Sequence, residues 1–582
     1  MISGFKVGEM MNYKTKRWQG IDLKREKILL LLLPFWTPVV PPSGISCIKS
    51  FLKQHNCNVR TVDANIESEL REMYDKYFDT LKQYVPESKR SVFYNIGNEV
   101  WQNHMMAHLN YEDEKEYMEL VKILVYQTFF CKIDNHQVGV LNQVIMESYT
   151  RLEKYIVNLL EREKPTILGL SVYIGTLPAS IFTFKLTRRR YPHIKTVMGG
   201  GIFNGLLALN SLNLEFFLEK TKDYIDKVII GEGEILFLKL LQCKLPPSQR
   251  VFTLEDIDGE VLDLSKVNAP DMSDFKLRYY PYLTSYSTRS CPFQCSFCSD
   301  PVLWGKYRKK SAVQVAEELT RASEIYGSQL FVMSDLLMNP VATDLANELI
   351  KADISVYWDT HFRIGKEVCD PKKTLLWRRG GLYRVQLGTE SGSQRVLNLM
   401  DKKITIEQTK NAISALAYAG IKTTTYWVVG YPGETEEDFQ LTLDLIEELK
   451  SDIYEAETNP FWYVPNGQIN ADEWWQKSKL LYPESAKDML IVQQWILDED
   501  PSREERYSRV NRFDKHCKKL GIPNPYSLNE IHFADQRWKK IHKNAVPALE
   551  EFKEGVYINE NKFIKEMNVF HNIMQHDENW GF

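Results

Sequence analysis

Three of the chain's nine cysteines fall in the stretch YSTRSCPFQCSFCSD, residues 286–300. Their spacing is CxxxCxxC: Cys291, Cys295 and Cys298. Three thiolates are one ligand short of a closed tetrahedral zinc site. The nearest further ligands in the sequence, such as Cys369 and His361, fall at the ends of other expected elements. A 4Fe–4S cluster held by three thiolates instead leaves one iron without a protein ligand, and an incoming amine and carboxylate can chelate that iron. The spacing lets one short loop wrap one face of the cube.

Such a loop needs a rigid frame. "YLTSYST" reads as a strand that runs straight into it, and Ser311 with Gln314 forms a capping box for the helix "AVQVAEELTRASEIY". The strands "QLFVMSD", "ISVYWDTHFRIG", "YRVQLGTE", "KTTTYWVVG" and "IYEAETNPFWYV" follow, separated by helical segments. Six βα repeats predict a partial barrel, whose chemistry sits at the C-terminal ends of the strands. Upstream, "KILLLLL" reads as a buried parallel strand, "PFWTPVVPPSG" as a loop and "ISCIKSFLKQHN" as a helix. The strands "CNVRTVDAN", "TILGLSVY", "KTVMGGG" and "KVIIGEGE" continue an open parallel sheet, interrupted by a helical insertion at about 66–160. The expected organisation is an extension (1–26), a Rossmann-like domain (27–245), a linker (246–280), the partial barrel (281–467) and a helical C-terminal region rich in charge and Trp (468–582).

The cysteine loop, with the aromatic Phe297 before its last cysteine, resembles the signature of the radical S-adenosylmethionine (SAM) superfamily. The resemblance implies a one-electron cleavage of SAM to a 5′-deoxyadenosyl radical, with cofactor chemistry doing the hard step. "GTESGSQRVLNLMDKK" (388–403) is similar to the family's fourth-strand segment. It implies Glu390 for the SAM ribose and Lys402, or its rival Arg395, for the SAM carboxylate, beside a helix start at Ser391. "VVGYPGETEED" (428–438) resembles the fifth-strand segment that lies along the adenine, where Gly430 and Gly433 permit close approach. The family's glycine-rich motif after the second strand is replaced by "VMSDLLMN", which leaves Ser334 or Asp335 for the SAM amino group.

The N-terminal pattern "PFWTPVVPPSG … VDAN … LGLSVY … VMGGG … VIIGEGE" resembles the cobalamin-binding domain of the cobalamin-dependent radical SAM enzymes. That resemblance implies a ligand crevice rimmed by Ser171, Tyr173, Gly199, Gly200, Gly201, Gly231, Glu232 and Gly233. "DNHQVG" (134–139) fits the DxHxxG motif that elsewhere gives a histidine to cobalt. His136 falls inside the helical insertion and not after the first strand, so the match is read as coincidence, with a rearranged loop as the alternative.

The class implied is a methyltransferase working through a 5′-deoxyadenosyl radical and methylcobalamin. Its target would be an unactivated carbon, or a phosphinate phosphorus, of a small-molecule or peptide intermediate in natural-product biosynthesis. Three other readings stay open: a radical SAM cyclase or rearrangement enzyme, an RNA methylthiotransferase, and a non-catalytic iron–sulfur or zinc protein. The methylthiotransferase resemblance lacks its own N-terminal trio of cysteines and its basic C-terminal module. An electron donor such as flavodoxin or ferredoxin is the expected partner. The formal net charge of −4 argues against a dedicated nucleic-acid binder. The six scattered cysteines argue for a reducing cytoplasm and against a secreted disulfide framework. The apolar run at residues 28–40 contains two prolines and is too short to span a bilayer, so no membrane role is expected.

Overall fold

The computed structural model describes residues 17–465, 467–525 and 528–542. The first ten and more residues of the expected extension and the last forty of the expected C-terminal region, 1–16 and 543–582, lie outside the described residues. The chain divides into two compact units. Of the described residues, the first holds 17–280, Val302–Gly305 and Tyr463–Leu497, and the second holds Pro281–Pro301 with the cysteine loop, Lys306–Trp462 and 498–542. Among the described residues no helix is long and apolar enough to cross a membrane.

The first unit is built on a six-stranded parallel sheet of β1 (Lys27–Leu32), β2 (Asn58–Asp63), β3 (Ile167–Ser171), β4 (Lys195–Gly199), β5 (Lys227–Ile229) and β6 (Val251–Phe252). The strand order is β2-β1-β3-β4-β5-β6. The order reverses between β1 and β3, so the loops after those two strands diverge and leave a crevice at the sheet's C-terminal edge. β1 is buried along Ile28–Leu32, as a central strand covered on both faces must be. Residues 246–280, expected as a linker, supply β6 and several short turns of this unit. Residues 463–497, expected in part as barrel and in part as a C-terminal region, also fold here. Leu481, Tyr482, Met489, Leu490, Ile491 and Val492 join its apolar core.

The helical insertion is observed as four helices, Ser68–Tyr84, Phe93–Asn110, Glu114–Phe129 and Asn135–Glu163. Through its centre runs a buried polar chain. Tyr77 Oη meets His104 Nδ1 at 2.9 Å, His104 Nε2 meets Tyr117 Oη at 2.8 Å, and Tyr117 donates to Asn142 Oδ1 at 2.7 Å. Because Tyr117 gives its proton to Asn142, His104 donates from Nε2; burial disfavours the charged ring, so Nδ1 accepts from Tyr77 and the imidazole is neutral.

The second unit carries β7 (Leu283–Ser285), the short antiparallel pair β8 (Thr288–Arg289) and β9 (Arg308–Lys309), and then β10 (Leu330–Met333), β11 (Tyr357–Arg363), β12 (Leu382–Glu390), β13 (Lys422–Val429) and β14 (Glu455–Pro460). β7 and β10–β14 form a six-stranded parallel sheet in the order β7-β10-β11-β12-β13-β14. Helices return the chain between successive strands, which gives the partial (β/α)6 barrel. Along β11–β13 the outward side chains Trp358, Phe362, Val385, Leu387, Trp427 and Val429 are buried. The alternate positions face inward and are largely polar.

Burial, with His108 second, pulls the His104 imidazole down to about 3. A histidine whose folded value lies below its usual 6.5 stabilises the fold in full above that value and loses the contribution as pH falls toward 3. Urea melts followed by far-ultraviolet circular dichroism should therefore lose stability between these limits, with this one group contributing up to about 1.4 kcal/mol per pH unit. His104→Gln should flatten that slope while costing about 1–3 kcal/mol at neutral pH for the tyrosine hydroxyls it strands. An unchanged slope would show that His104 is not the titrating group.

Candidate active site

The cysteine loop leaves the barrel at the C-terminal end of β7, and its base is pinched by the β8–β9 pair. A single buried carboxylate holds the approach. Asp335, just after β10, accepts from the Ser287 backbone N–H at 2.9 Å and from the Thr288 hydroxyl at 2.6 Å. It also accepts from the Thr288 backbone N–H and, at 3.1 Å, from the Ser287 hydroxyl. Burial raises its carboxyl, and these donors pull the other way. The sequence placed Asp335 and Ser334 near the SAM amino group. Here the Asp335 carboxylate is engaged in shaping the loop entry, and the Ser334 hydroxyl bonds Thr284 Oγ1 at 3.0 Å.

Cys295 is buried, and Cys291 and Cys298 are partly so. Burial raises the Cys291 thiol, and it pushes the Cys298 thiol up to about 12, with Asp300 and the neighbouring thiols adding to the rise. Arg363, at the end of β11, donates to Cys295 Sγ at 3.2 Å and stacks its guanidinium over Phe293 at 3.9 Å. Among the described residues no group of three or more His, Cys, Asp or Glu side chains is arranged to enclose a single metal ion.

Two of the residues implied for SAM meet beside this loop. Glu390 ends β12 with φ of 63°, after a register shift between Gly388 and Glu390. That left-handed turn re-aims its carboxylate onto Lys402 Nζ, and both side chains are buried. A Cβ at Gly388 would stand 2.6 Å from Glu390 Oε1 and 2.8 Å from Lys402 Nζ, so glycine is what makes room for the pair. Lys402 Nζ lies 5.9 Å from the centre of the Phe297 ring. Gly430 and Gly433 turn with φ of 75° and 81° in the loop after β13. Arg395 points elsewhere, donating to the Gly433 carbonyl at 2.6 Å and pairing with Asp438. Ser391 is buried and accepts from the Ser393 N–H at 3.1 Å, so Ser393, not Ser391, caps the following helix.

The inner wall of the barrel was not singled out from the sequence. Register sets Asp359 beside Arg384 and His361 beside Gln386 on β11 and β12. It sets Gly388 beside Tyr426, and Tyr426 beside Glu457, across β12–β14. Arg384 Nε donates to Asp359 at 2.6 Å, Gln386 Nε2 donates to the same carboxylate at 3.1 Å, and Tyr426 donates to Gln386 Oε1 at 2.5 Å. His361 lies parallel to Tyr426 at 6.1 Å. Glu457 accepts from Asn459 Nδ2 at 3.3 Å, and burial raises its carboxyl. The signal was legible in "WDTHFR": Asp, His and Arg at every second position of an otherwise buried strand mark a polar lumen.

In the first unit, Gly199–Gly201 and Gly231–Gly233 follow β4 and β5 at the C-terminal edge of the sheet. A Cβ at Gly200 would lie 2.4 Å from the Val172 backbone, and one at Gly201 would lie 2.6 Å from the Tyr173 ring. These two glycines are required by packing against the β3 loop. Gly231, with φ of 100°, instead lines a cavity of about 210 Å³ together with Phe203, Leu209, Ile230, Thr253 and Leu254. Glu232 accepts from the Leu262 N–H at 3.0 Å, Gly233 opens the next helix, and Ser171 ends β3. Tyr173 sits 4.9 Å from the exposed Trp36, ring to ring, where the β1 and β3 loops diverge. His136 is exposed in the first turn of its helix, where Asp134 and Gln137 form the capping box. The DxHxxG match is the start of a helix.

Residues 285–446 match the model of the radical SAM superfamily. Among curated proteins, the chain is 28% identical over 318 residues to the anaerobic magnesium-protoporphyrin IX monomethyl ester cyclase of Rubrivivax gelatinosus, covering 50% of this chain and 55% of that protein. It is 30% identical over 184 residues to the cytidylyl-2-hydroxyethylphosphonate methyltransferase of Streptomyces wedmorensis, covering 28% of this chain and 32% of that one. The match thus spans about half or less of the length of these relatives. Among solved structures, the radical SAM methyltransferase TsrM of Kitasatospora setae, with cobalamin and a [4Fe-4S] cluster bound, superposes with a TM-score of 0.55 at 12% identity. That superposition covers 93% of this chain and 99% of that one, so the two share a fold.

Removing the Asp335 carboxylate strands buried donors of Ser287 and Thr288, each worth about 1–3 kcal/mol. Asp335→Ala should therefore loosen the loop entry and lower the iron retained per chain after anaerobic reconstitution. Asp335→Asn, which keeps one acceptor oxygen, should fall between it and the parent. Full iron retention in Asp335→Ala, with an unchanged melting temperature, would show that this carboxylate does not hold the loop.

Proposed function

We propose that the chain, whose residues 285–446 match the radical SAM superfamily and which shares the fold of TsrM, is a radical SAM methyltransferase acting on a small-molecule or peptide intermediate. The observation that carries the reading is the set of three thiols on one loop at the mouth of a barrel whose inner wall is polar. The buried Glu390–Lys402 pair lies next to it.

The donor set fits a 4Fe–4S cluster. Burial raises the Cys291 and Cys298 thiols, and a shared multivalent cation would hold the three sulfurs of the loop as thiolates. Cys291, Cys295 and Cys298 would hold three corners, and Arg363 would offset negative charge at the Cys295 sulfur. Cluster and SAM together would supply one-electron reductive cleavage of SAM to methionine and a 5′-deoxyadenosyl radical, the electron coming from a donor such as flavodoxin or ferredoxin. In this reading Glu390 would accept from ribose hydroxyls, Lys402 would meet the carboxylate, and the loop after β13 would lie along the adenine. Ser334, whose hydroxyl stands at the rim, is left for the amino group. The inner wall of His361, Gln386, Tyr426 and Glu457 would offer a substrate both donors and acceptors, and hydrogen bonds hold Gln386, Tyr426 and Glu457 in place.

In the first unit the crevice between the β1 and β3 loops and the cavity beside Gly231 suit a large ligand with a nucleotide tail. The cavity is smaller than the roughly 300 Å³ of a typical small-molecule site, so it fits one arm of cobalamin and not the corrin. Cobalamin would supply a methyl group. No described side chain is assigned to cobalt, since His136 belongs to a helix start. A cyclase or other non-methylating radical reaction is the second reading, kept by the likeness to the magnesium-protoporphyrin ester cyclase.

Cys291→Ala, Cys295→Ala and Cys298→Ala should each abolish formation of 5′-deoxyadenosine from SAM under a chemical reductant, while Cys47→Ala and Cys369→Ala should not. Survival of SAM cleavage in the first three would remove the mechanism. Gly231→Val places a β-branched side chain at φ of 100° against the cavity. It should lower the cobalamin retained after reconstitution at least severalfold, read from the visible spectrum, and leave the iron content unchanged. Equal retention would place cobalamin elsewhere or dismiss it.

A further inference from the structure

The C-terminal segment had no role from the sequence, yet in the second unit it grips the loop after β13 at three points. The Gly433 N–H donates to the Asp500 carbonyl at 2.8 Å. The alkyl stem of Arg506 lies over Gly430, where an added Cβ would come within 2.2 Å of Arg506 Cγ. The Arg506 guanidinium is tied down by the carbonyls of Pro501 at 2.8 Å and Glu499 at 3.2 Å. Arg509, buried in the helix Arg503–Lys519, donates from Nη1 to the Glu434 carbonyl at 3.0 Å and to Glu434 Oε2 at 2.9 Å. The same Oε2 accepts from the Gly430 N–H at 2.8 Å.

The loop held this way reaches the cysteine loop directly. Tyr431 Oη lies 2.6 Å from Ser296 Oγ, between Cys295 and Cys298, and donates to the Leu399 carbonyl at 3.1 Å. The Ser296 N–H in turn donates to the Met400 carbonyl at 3.0 Å. The contacts thus run from Arg509 to Glu434, from Glu434 to the Gly430 N–H and, through its own N–H at 2.8 Å, to the Tyr431 carbonyl, and from the Tyr431 hydroxyl to the middle of the cysteine loop.

We infer that Arg509 and Tyr431 are positioning residues: they fix the spacing between the loop assigned to the SAM adenine and the loop assigned to the cluster, and so set how SAM meets the open iron. The inference rests on the SAM-dependent reading above. Arg509 suits the task because it is buried and its planar fork holds Glu434 from Nη1 while Nη2 is anchored on Glu505 at 2.6 Å. Breaking such a pair leaves a buried charge uncompensated, so the loop would move rather than tolerate the loss. A clamp that served stability alone would leave the affinity for SAM untouched.

The test uses the full chain reconstituted anaerobically with iron and sulfide, with SAM as the probe and a chemical reductant. Tyr431→Phe removes one hydroxyl, and Arg509→Lys keeps the charge but loses the fork. For each, iron per chain, the electron paramagnetic resonance spectrum of the reduced cluster with and without SAM, and the SAM dependence of 5′-deoxyadenosine formation are measured. Iron content should stay at the parent level. KM for SAM should rise roughly five- to tenfold, the size expected for one lost hydrogen bond, with kcat falling less. The spectral change produced by SAM should shrink at equal SAM. If both variants keep KM within twofold and show the parent spectrum, the inference is overturned, even where Arg509→Lys melts earlier. If the parent itself neither cleaves SAM nor changes spectrum with it, the SAM reading falls and takes this inference with it.

Discussion

Three thiols crowd one short loop, Cys295 buried and Cys291 and Cys298 partly so. Desolvation pushes Cys298 up to about 12 and raises Cys291, and an ionised neighbour would raise each of these two further. A shared cation would reverse that order. The rest of the second unit answers this constraint. A buried carboxylate at Asp335 fixes the loop entry, Arg363 brings a positive charge to Cys295, and the β8–β9 pair closes the base.

Barrel geometry explains why a reactive site can sit here. Parallel strands with apolar outer faces pack under helices, and their inner positions are free to be polar. Asp359, Arg384, Gln386 and Tyr426 satisfy one another across three adjacent strands, which fixes their positions before any substrate arrives. The turn at Glu390 shows how local strain is put to use. A left-handed residue at the end of β12 swings its carboxylate onto Lys402, and Gly388 supplies the space. In the first unit, the reversal of strand order between β1 and β3 opens a crevice by topology alone.

The parts legible in sequence were those encoded locally. The cysteine spacing, the glycines after β4, β5 and β13, and the periodicity of the helical insertion each lie within a few residues. So did the alternation of strands and helices that predicts both sheets. What escaped depends on contacts between distant positions. Asp335 meets Ser287 across 48 residues, Arg363 meets Cys295 across 68, and Arg509 meets Glu434 across 75. The division of the chain at 463–497 was hidden for a similar reason. Those residues follow the barrel in order, but their apolar side chains complete the core of the first unit. Asp335 illustrates the limit well: its position in the motif was noticed, and its contacts, invisible in the sequence, tie its carboxylate to the loop entry.

The central claim is that Cys291, Cys295 and Cys298 hold a cluster with one open iron. Iron analysis with Mössbauer and electron paramagnetic resonance spectroscopy of the anaerobically reconstituted chain tests it most directly. The account predicts about four irons per chain at this loop, with one iron whose signal changes when SAM is added. Zinc in place of iron at the same loop, or an iron cluster indifferent to SAM, would contradict it.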